Sequence, residues 1–169
     1  MNKPTIVLRF DNLVVIKGSS NTPLPLTKLD DDSHIHGGLR FQINGRTVPY
    51  TGYFGADDAC FGAWLQEFAG VYAAFAASET ARYVYDEGEQ GQPAFVFERR
   101  GDTAFLSIVD SELSDGVADP DWQWAAFDYA DLCEQYLRFQ SDFMQTVRRA
   151  APNTASEWLE RNTMREGNV

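Results

Sequence analysis

Residues 39–50 read Leu39-Arg40-Phe41-Gln42-Ile43-Asn44-Gly45-Arg46-Thr47-Val48-Pro49-Tyr50. Asn-Gly is the favoured two-residue turn of a β-hairpin, because both central positions take positive φ. Centring the turn on Asn44–Gly45 sets Ile43 opposite Arg46, Phe41 opposite Val48 and Leu39 opposite Tyr50. Leu39, Phe41, Val48 and Tyr50 then share one apolar face, with Arg40, Gln42 and Thr47 on the other. A slip by one residue would bury the polar set, so the pairing is strongly specified. Pro49 has no N–H to give to a ladder, which points to a sheet edge or a bulge.

Upstream, Ile6, Leu8 and Phe10 alternate with polar or smaller residues and predict a half-buried strand over 5–10. Asp11 and Asn12 read as a turn, and 13–17 as a second strand. Residues 18–32 carry Gly18, Pro23, Pro25 and Asp30–Asp32, the composition of a loop. Downstream, Phe61, Trp64, Leu65, Phe68, Val71, Tyr72 and Phe75 recur at helical spacing, with Asp57 or Asp58 as the expected cap. Small residues between them, including Gly62 and Gly70, suit close approach of another element. Each glycine costs a helix about 1 kcal/mol, so packing must offset it. Strands are expected over 82–85, 94–98, 103–109 and 122–127, the middle two as a hairpin. Asp128 caps a second long helix whose buried stripe is Leu132, Tyr136, Phe139, Phe143 and Val147. Thr154 and Glu157 form a capping box for a short helix bearing Trp158 and Leu159.

The fold class that follows is α+β. An antiparallel sheet of about six to eight strands is covered on one face by two long amphipathic helices, with a short C-terminal helix added. Residues 1–163 are expected as a single domain and 164–169 as a frayed tail.

Of 169 residues, 44% are apolar and 14% aromatic, enough for a sizeable core and too many for wholesale disorder. The 14 basic residues against 25 acidic ones give a net charge of −11. Nucleic acid and anionic lipid need positive patches, so neither is an expected partner. The four-residue apolar run at the N-terminus is shorter than a signal-peptide core, and no stretch approaches the roughly 20 apolar residues of a membrane span. Cys60 and Cys133 are expected in helices as reduced, buried thiols. A cytoplasmic location follows from these readings.

Catalytic signatures are sparse. His34 and His36 are the only histidines and follow Asp30, Asp31 and Asp32. Two residues apart on a strand share a face, so both imidazoles could reach one ion with a carboxylate as third ligand. A solvated loop accounts for the same residues, and no metal or cofactor is expected. There is no nucleophile elbow and no phosphate-binding glycine loop. Sequence separation leaves a Cys–His pair geometrically open. The carboxylate pairs Asp57/Asp58 and Asp110/Glu112 are more simply a helix cap and a solvated strand end than acid–base dyads.

Charge distribution says more. Between Asp102 and Leu137 there are nine acids and no Lys or Arg, and between Thr47 and Ala81 four acids and again no base. Such windows suit a docking surface for a basic partner, with electrostatic steering of association. Trp122 and Trp124, flanked by acids and read as one face of a strand, have the composition of an interface hot spot. The expected partner-binding residues are Asp57, Asp58, Asp110, Glu112, Asp115, Asp119, Asp121 and Trp122.

Three features stand together: Tyr53-Phe54-Gly55-Ala56-Asp57-Asp58 leading into the Trp64-bearing helix, a middle hairpin, and a Phe-rich closing helix from Asp128. In this architecture the chain resembles the immunity proteins of bacterial polymorphic-toxin and contact-dependent inhibition systems. The resemblance implies no catalysis, and tight one-to-one binding to a cognate toxin, with a basic nuclease suiting the acidic windows. The alternative is a small enzyme or a ligand- or metal-binding domain with a pocket near His34 and His36.

Overall fold

The Asn44–Gly45 turn forms as the sequence dictates, with φ of 52° and 78°, and it joins β2 (Ser33–Ile43) to β3 (Arg46–Thr47). This computed structural model describes residues 5–18 and 20–163; the tail expected over 164–169 lies outside them. The pairing Ile43↔Arg46 is the one expected, and the Val48 N–H still donates to the Phe41 carbonyl at 2.9 Å. The ladder then ends, because Pro49 has no donor and Tyr50 takes φ +64°. Tyr50 therefore turns out to solvent instead of facing Leu39, whose partner is Phe10.

Residues 5–17 do not form two strands. They make one long β1 (Ile6–Lys17), antiparallel to β2, with a bulge between Asp11 and Val14 where Asn12 has φ +50°. Glycines on β2 make room for that bulge. A Cβ on Gly37 would stand 2.8 Å from the Asp11 carbonyl oxygen, and one on Gly38 would stand 1.9 Å from Asp11 Oδ1. His34 and His36 thus belong to a strand and not to a loop.

After a 3₁₀ turn (Ala56–Asp58), the two-residue β4 (Ala59–Cys60) pairs with β2 and runs straight into α1 (Phe61–Ala77). Because this short pairing intervenes, Asp57 and Asp58 stop short of the helix, and Cys60 occupies its cap position. The expected carboxylate cap is thereby corrected, as is the placing of Cys60 inside the helix. Gly70 has the packing its propensity cost requires: a Cβ there would lie 2.4 Å from the Tyr83 hydroxyl.

A second sheet follows as a meander of β5 (Thr80–Tyr85), β6 (Ala94–Arg100), β7 (Thr103–Val109) and β8 (Ala125–Asp128). The single sheet expected from the sequence is corrected to two antiparallel sheets of four strands each among the described residues. β8 starts after the two tryptophans, since Trp124 takes φ +56°. Trp122 is buried beneath the Arg46 guanidinium at 4.2 Å, while Trp124 stays 49% exposed against Arg100 and Phe105. The expected shared face of these two rings is not formed.

α2 (Tyr129–Ala150) is capped by Asp128, which accepts from the Asp131 N–H at 3.0 Å. In α3 (Ala155–Thr163) the Thr154 hydroxyl donates to the Leu29 carbonyl at 2.8 Å instead of closing the expected capping box. One buried cluster joins both sheets and all three helices. Phe41 of the first sheet stacks on Phe97 of the second at 6.4 Å and meets Phe68 of α1 edge-on at 5.4 Å. Among the described residues no helix is long and apolar enough to cross a membrane.

Candidate functional site

Where β4 leaves β2 to begin α1, the backbone leaves a cleft of about 270 Å³. Its floor comes from the two strands. The cross-strand pair His36↔Cys60 sets an imidazole beside a thiol, as directly opposed residues in an antiparallel pair have Cβ atoms about 5 Å apart. His34, two residues earlier, lines the same cleft, with its ring 6.4 Å from that of His36. Ile35 between them points into the core. Alternation along β2 therefore delivers both histidines to one side.

Asp58 completes the cluster. The Nδ1–H of His36 donates to Asp58 Oδ1 at 2.9 Å. Cys60 has a further advantage of position. It stands at the cap position of α1, where the Ala63 and Gly62 N–H groups favour its anionic form. Burial by itself would push the Cys60 thiol up. The hydrogen bond to His36, then the Ala63 N–H, outweigh burial and hold the thiol below its ordinary range. The imidazole responds in kind. Its hydrogen bond to Cys60 first, and that to Asp58 next, push His36 up to about 9 against the opposing effect of burial. Both shifts favour the thiolate–imidazolium form of the pair over the neutral one.

The walls are fixed by α1 and by the loops around it. The Trp64 indole N–H donates to the Thr51 carbonyl at 2.6 Å, pinning the 50–55 loop to the helix. Thr51 lines the cleft, and its hydroxyl, on a residue 4% exposed, has no partner among the described residues. Beyond it Tyr53 and Phe54 are 59% and 83% exposed, and their rings meet edge-on at 4.8 Å. On the opposite side, the segment after β5 contributes Glu87 and Glu89. Asp58, Glu87 and Glu89 all line the cleft, and among the described residues no Lys or Arg does.

The residues singled out for partner binding fall into two separate settings. Asp58 is in the cleft, and Asp57, beside it, accepts from Arg40 Nη2 at 2.8 Å while Arg40 also holds Asp11. The others organise the connection between β7 and β8. Asp110 accepts from the Ala118 N–H, Asp115 from the Gly91 N–H and Asp119 from the Asp121 N–H. The Glu112 N–H donates to Asp86, and the Asp121 carbonyl accepts from Arg46. Trp122 is core. Much of this acidity is therefore spent on shaping a loop.

Two of the three aspartates before His34 are engaged elsewhere, and the Asp32 N–H donates to Asp30 Oδ1 at 3.2 Å. Asp30 bonds Lys17 and Ser33, and Asp31 bonds Arg161. Among the described residues no group of three or more His, Cys, Asp or Glu is arranged to hold a metal ion. Sequence reading assigns no role to Thr51, Glu87 or Glu89 and reads Cys60 first as a buried, reduced thiol, leaving a Cys–His pair only geometrically open. A signal for Cys60 does exist: it immediately precedes Phe61, the first residue of the apolar helical stripe, and so stands at a helix N-terminus. No protein-family model, no curated protein and no solved structure matches the chain.

Proposed function

We propose that the protein is a binding module of the inhibitor or immunity type, which neutralises a basic protein partner by one-to-one docking at this cleft. One observation carries the reading. Two touching, exposed aromatic rings, Tyr53 and Phe54, stand at the lip of a cleft that holds three carboxylates and, among the described residues, no Lys or Arg. A single exposed phenylalanine needs no explanation. An aromatic pair beside a concave acidic site is the composition of an anchor for a partner that inserts a lysine or arginine. The 110–121 loop is thereby secondary, since Asp110, Asp115 and Asp119 are already engaged with backbone N–H groups of this loop and of the neighbouring Gly91.

The test is capture from the native lysate with tagged wild type, a Tyr53→Ala/Phe54→Ala variant and an Asp119→Arg/Asp121→Arg variant, washed at low and high salt. A single stoichiometric basic protein should be held by wild type and by the loop variant, more weakly in salt, and lost from the aromatic variant. Equal retention by all three would remove the cleft from the interface. Loss only from the loop variant would move the interface to 110–121, and an empty capture would end the binding-module reading. A second reading, a small-ligand pocket at His34 and His36, is favoured by the thiol–imidazole–carboxylate cluster on the cleft floor.

A further inference from the structure

We propose that Cys60, His36 and Asp58 form a preactivated thiol site that exchanges with small cationic disulfides entering the cleft and ends as a mixed disulfide on Cys60. The inference rests on the geometry of the cleft floor and holds whether or not a protein docks there. Three arrangements carry it. The His36↔Cys60 strand pair and the 2.9 Å bond from His36 Nδ1 to Asp58 fix the order carboxylate, imidazole, sulfur, in which each group orients the next. The 17-residue α1 begins at the sulfur, so its first amides favour the anionic form. Thr51 lines the same cavity, and just behind that wall its buried hydroxyl has no partner among the described residues, a polar atom that a small shift on ligand entry would pair.

The exchange balances without any further reagent. The Cys60 thiolate attacks one sulfur of R–S–S–R, the new S–S bond forms, and the old one breaks with its electron pair on R–S⁻. Cys60 is oxidised, the departing sulfur is reduced, and the His36 imidazolium can protonate the leaving thiolate. Once Cys60 is neutral, the imidazolium has lost the anion that held its proton. Charge selects the substrate class. With Asp58, Glu87 and Glu89 lining the approach against the one protonated imidazole of His36, and no Lys or Arg there among the described residues, a disulfide carrying ammonium groups is concentrated at the mouth and an anionic one is disfavoured. Cys133 is the internal reference: it sits in α2 beside Tyr129 and does not line the cleft.

The experiment uses the native Cys133→Ser protein, leaving one thiol, with cystamine, 2-hydroxyethyl disulfide and a dianionic aromatic disulfide as dication, neutral and anion. Adduct formation is followed by mass spectrometry from pH 5.5 to 9, and each rate is divided by that of the same chain in denaturant. Relative to that reference, cystamine should react at least about tenfold faster than the neutral reagent, and the anion slowest. His36→Gln should remove the reactivity below pH 8 and move the profile up. Glu87→Gln/Glu89→Gln should erase the preference for cystamine and leave the pH profile in place. The wild-type protein should carry the adduct on Cys60 before Cys133. Circular dichroism confirms that each variant is folded. A native Cys60 no faster than in the unfolded chain, a pH profile unmoved by His36→Gln, or reagents ranked without regard to charge would each overturn the proposal.

Discussion

The indole N–H of Trp64 donates to the carbonyl of Thr51 at 2.6 Å, and through this one bond the helix that supplies the cleft wall also holds the loop that supplies its lip. Trp64 is 2% exposed and packs edge-on against Tyr85 and Phe95, so its ring is needed for the core as well. Trp64→Phe keeps an aromatic ring but leaves the Thr51 carbonyl without its donor. A buried acceptor left unmade costs about 1–3 kcal/mol. We expect a loss of stability in that range by urea unfolding, with amide exchange accelerated across residues 50–55 and unchanged in β6 and β7. Uniform acceleration throughout the chain would show that the ring, not the bond, was responsible.

Thr51 also predicts a change in the opposite direction. Its hydroxyl is buried and unpartnered among the described residues, so the folded state bears a desolvation penalty with nothing to offset it. Thr51→Val is close to isosteric and removes that hydroxyl. The variant should be at least as stable as wild type, by up to about 1 kcal/mol. A clear loss of stability in urea would mean that the hydroxyl is satisfied in solution.

His36 gives the pH prediction. Its hydrogen bond to Cys60, then that to Asp58, raise its pKa to about 9 despite burial, so the ring carries its proton at pH 8. The largest cause is the hydrogen bond to Cys60. Cys60→Ser should therefore lower the His36 pKa, and Asp58→Asn should lower it less. Ring carbon and nitrogen chemical shifts across pH 5–10 read this directly. An imidazole that titrates near 6.5 in wild type, or one indifferent to Cys60→Ser, would contradict the ion pair.

Parts of this molecule follow from short-range pattern and parts do not. The Asn44–Gly45 turn, the α1 stripe and the Asp128 cap are set by residues within one or two turns of chain, and they form as read. The split into two sheets depends on where β3 stops and on β5 choosing β6, which is a contest between distant pairings. The alternation that would put Trp122 and Trp124 on one face fails at a single positive φ, which no hydrophobic period reveals. The cleft is harder still to read. Its groups come from β2, the 51–60 segment and residues 85–89, and the bridge His36↔Cys60 that gathers them spans 24 positions. Two pairing residues inserted before α1 convert Cys60 from an expected helix-face thiol into a helix cap facing a histidine.

Arg99 supplies the last prediction. It is 9% exposed, and its partners are carbonyls and a ring. Nε donates to the Gly101 carbonyl at 2.8 Å, Nη1 donates to the carbonyls of Phe75 and Ser78, and the guanidinium lies 3.7 Å over the ring of Tyr129. The side chain therefore closes the C-terminal end of α1, where the helix dipole favours a cation, and ties it to the β6–β7 turn and to the start of α2. Arg99→Met keeps the apolar stem but strips three carbonyls of their donor, and should cost about 2 kcal/mol or more. Arg99→Lys should recover little of this, because one ammonium cannot serve divergent carbonyls and stack on a ring as a planar fork does. Urea unfolding of both variants, with exchange rates at the last turn of α1, checks the pair. A lysine variant as stable as wild type would reduce the role of Arg99 to its charge alone.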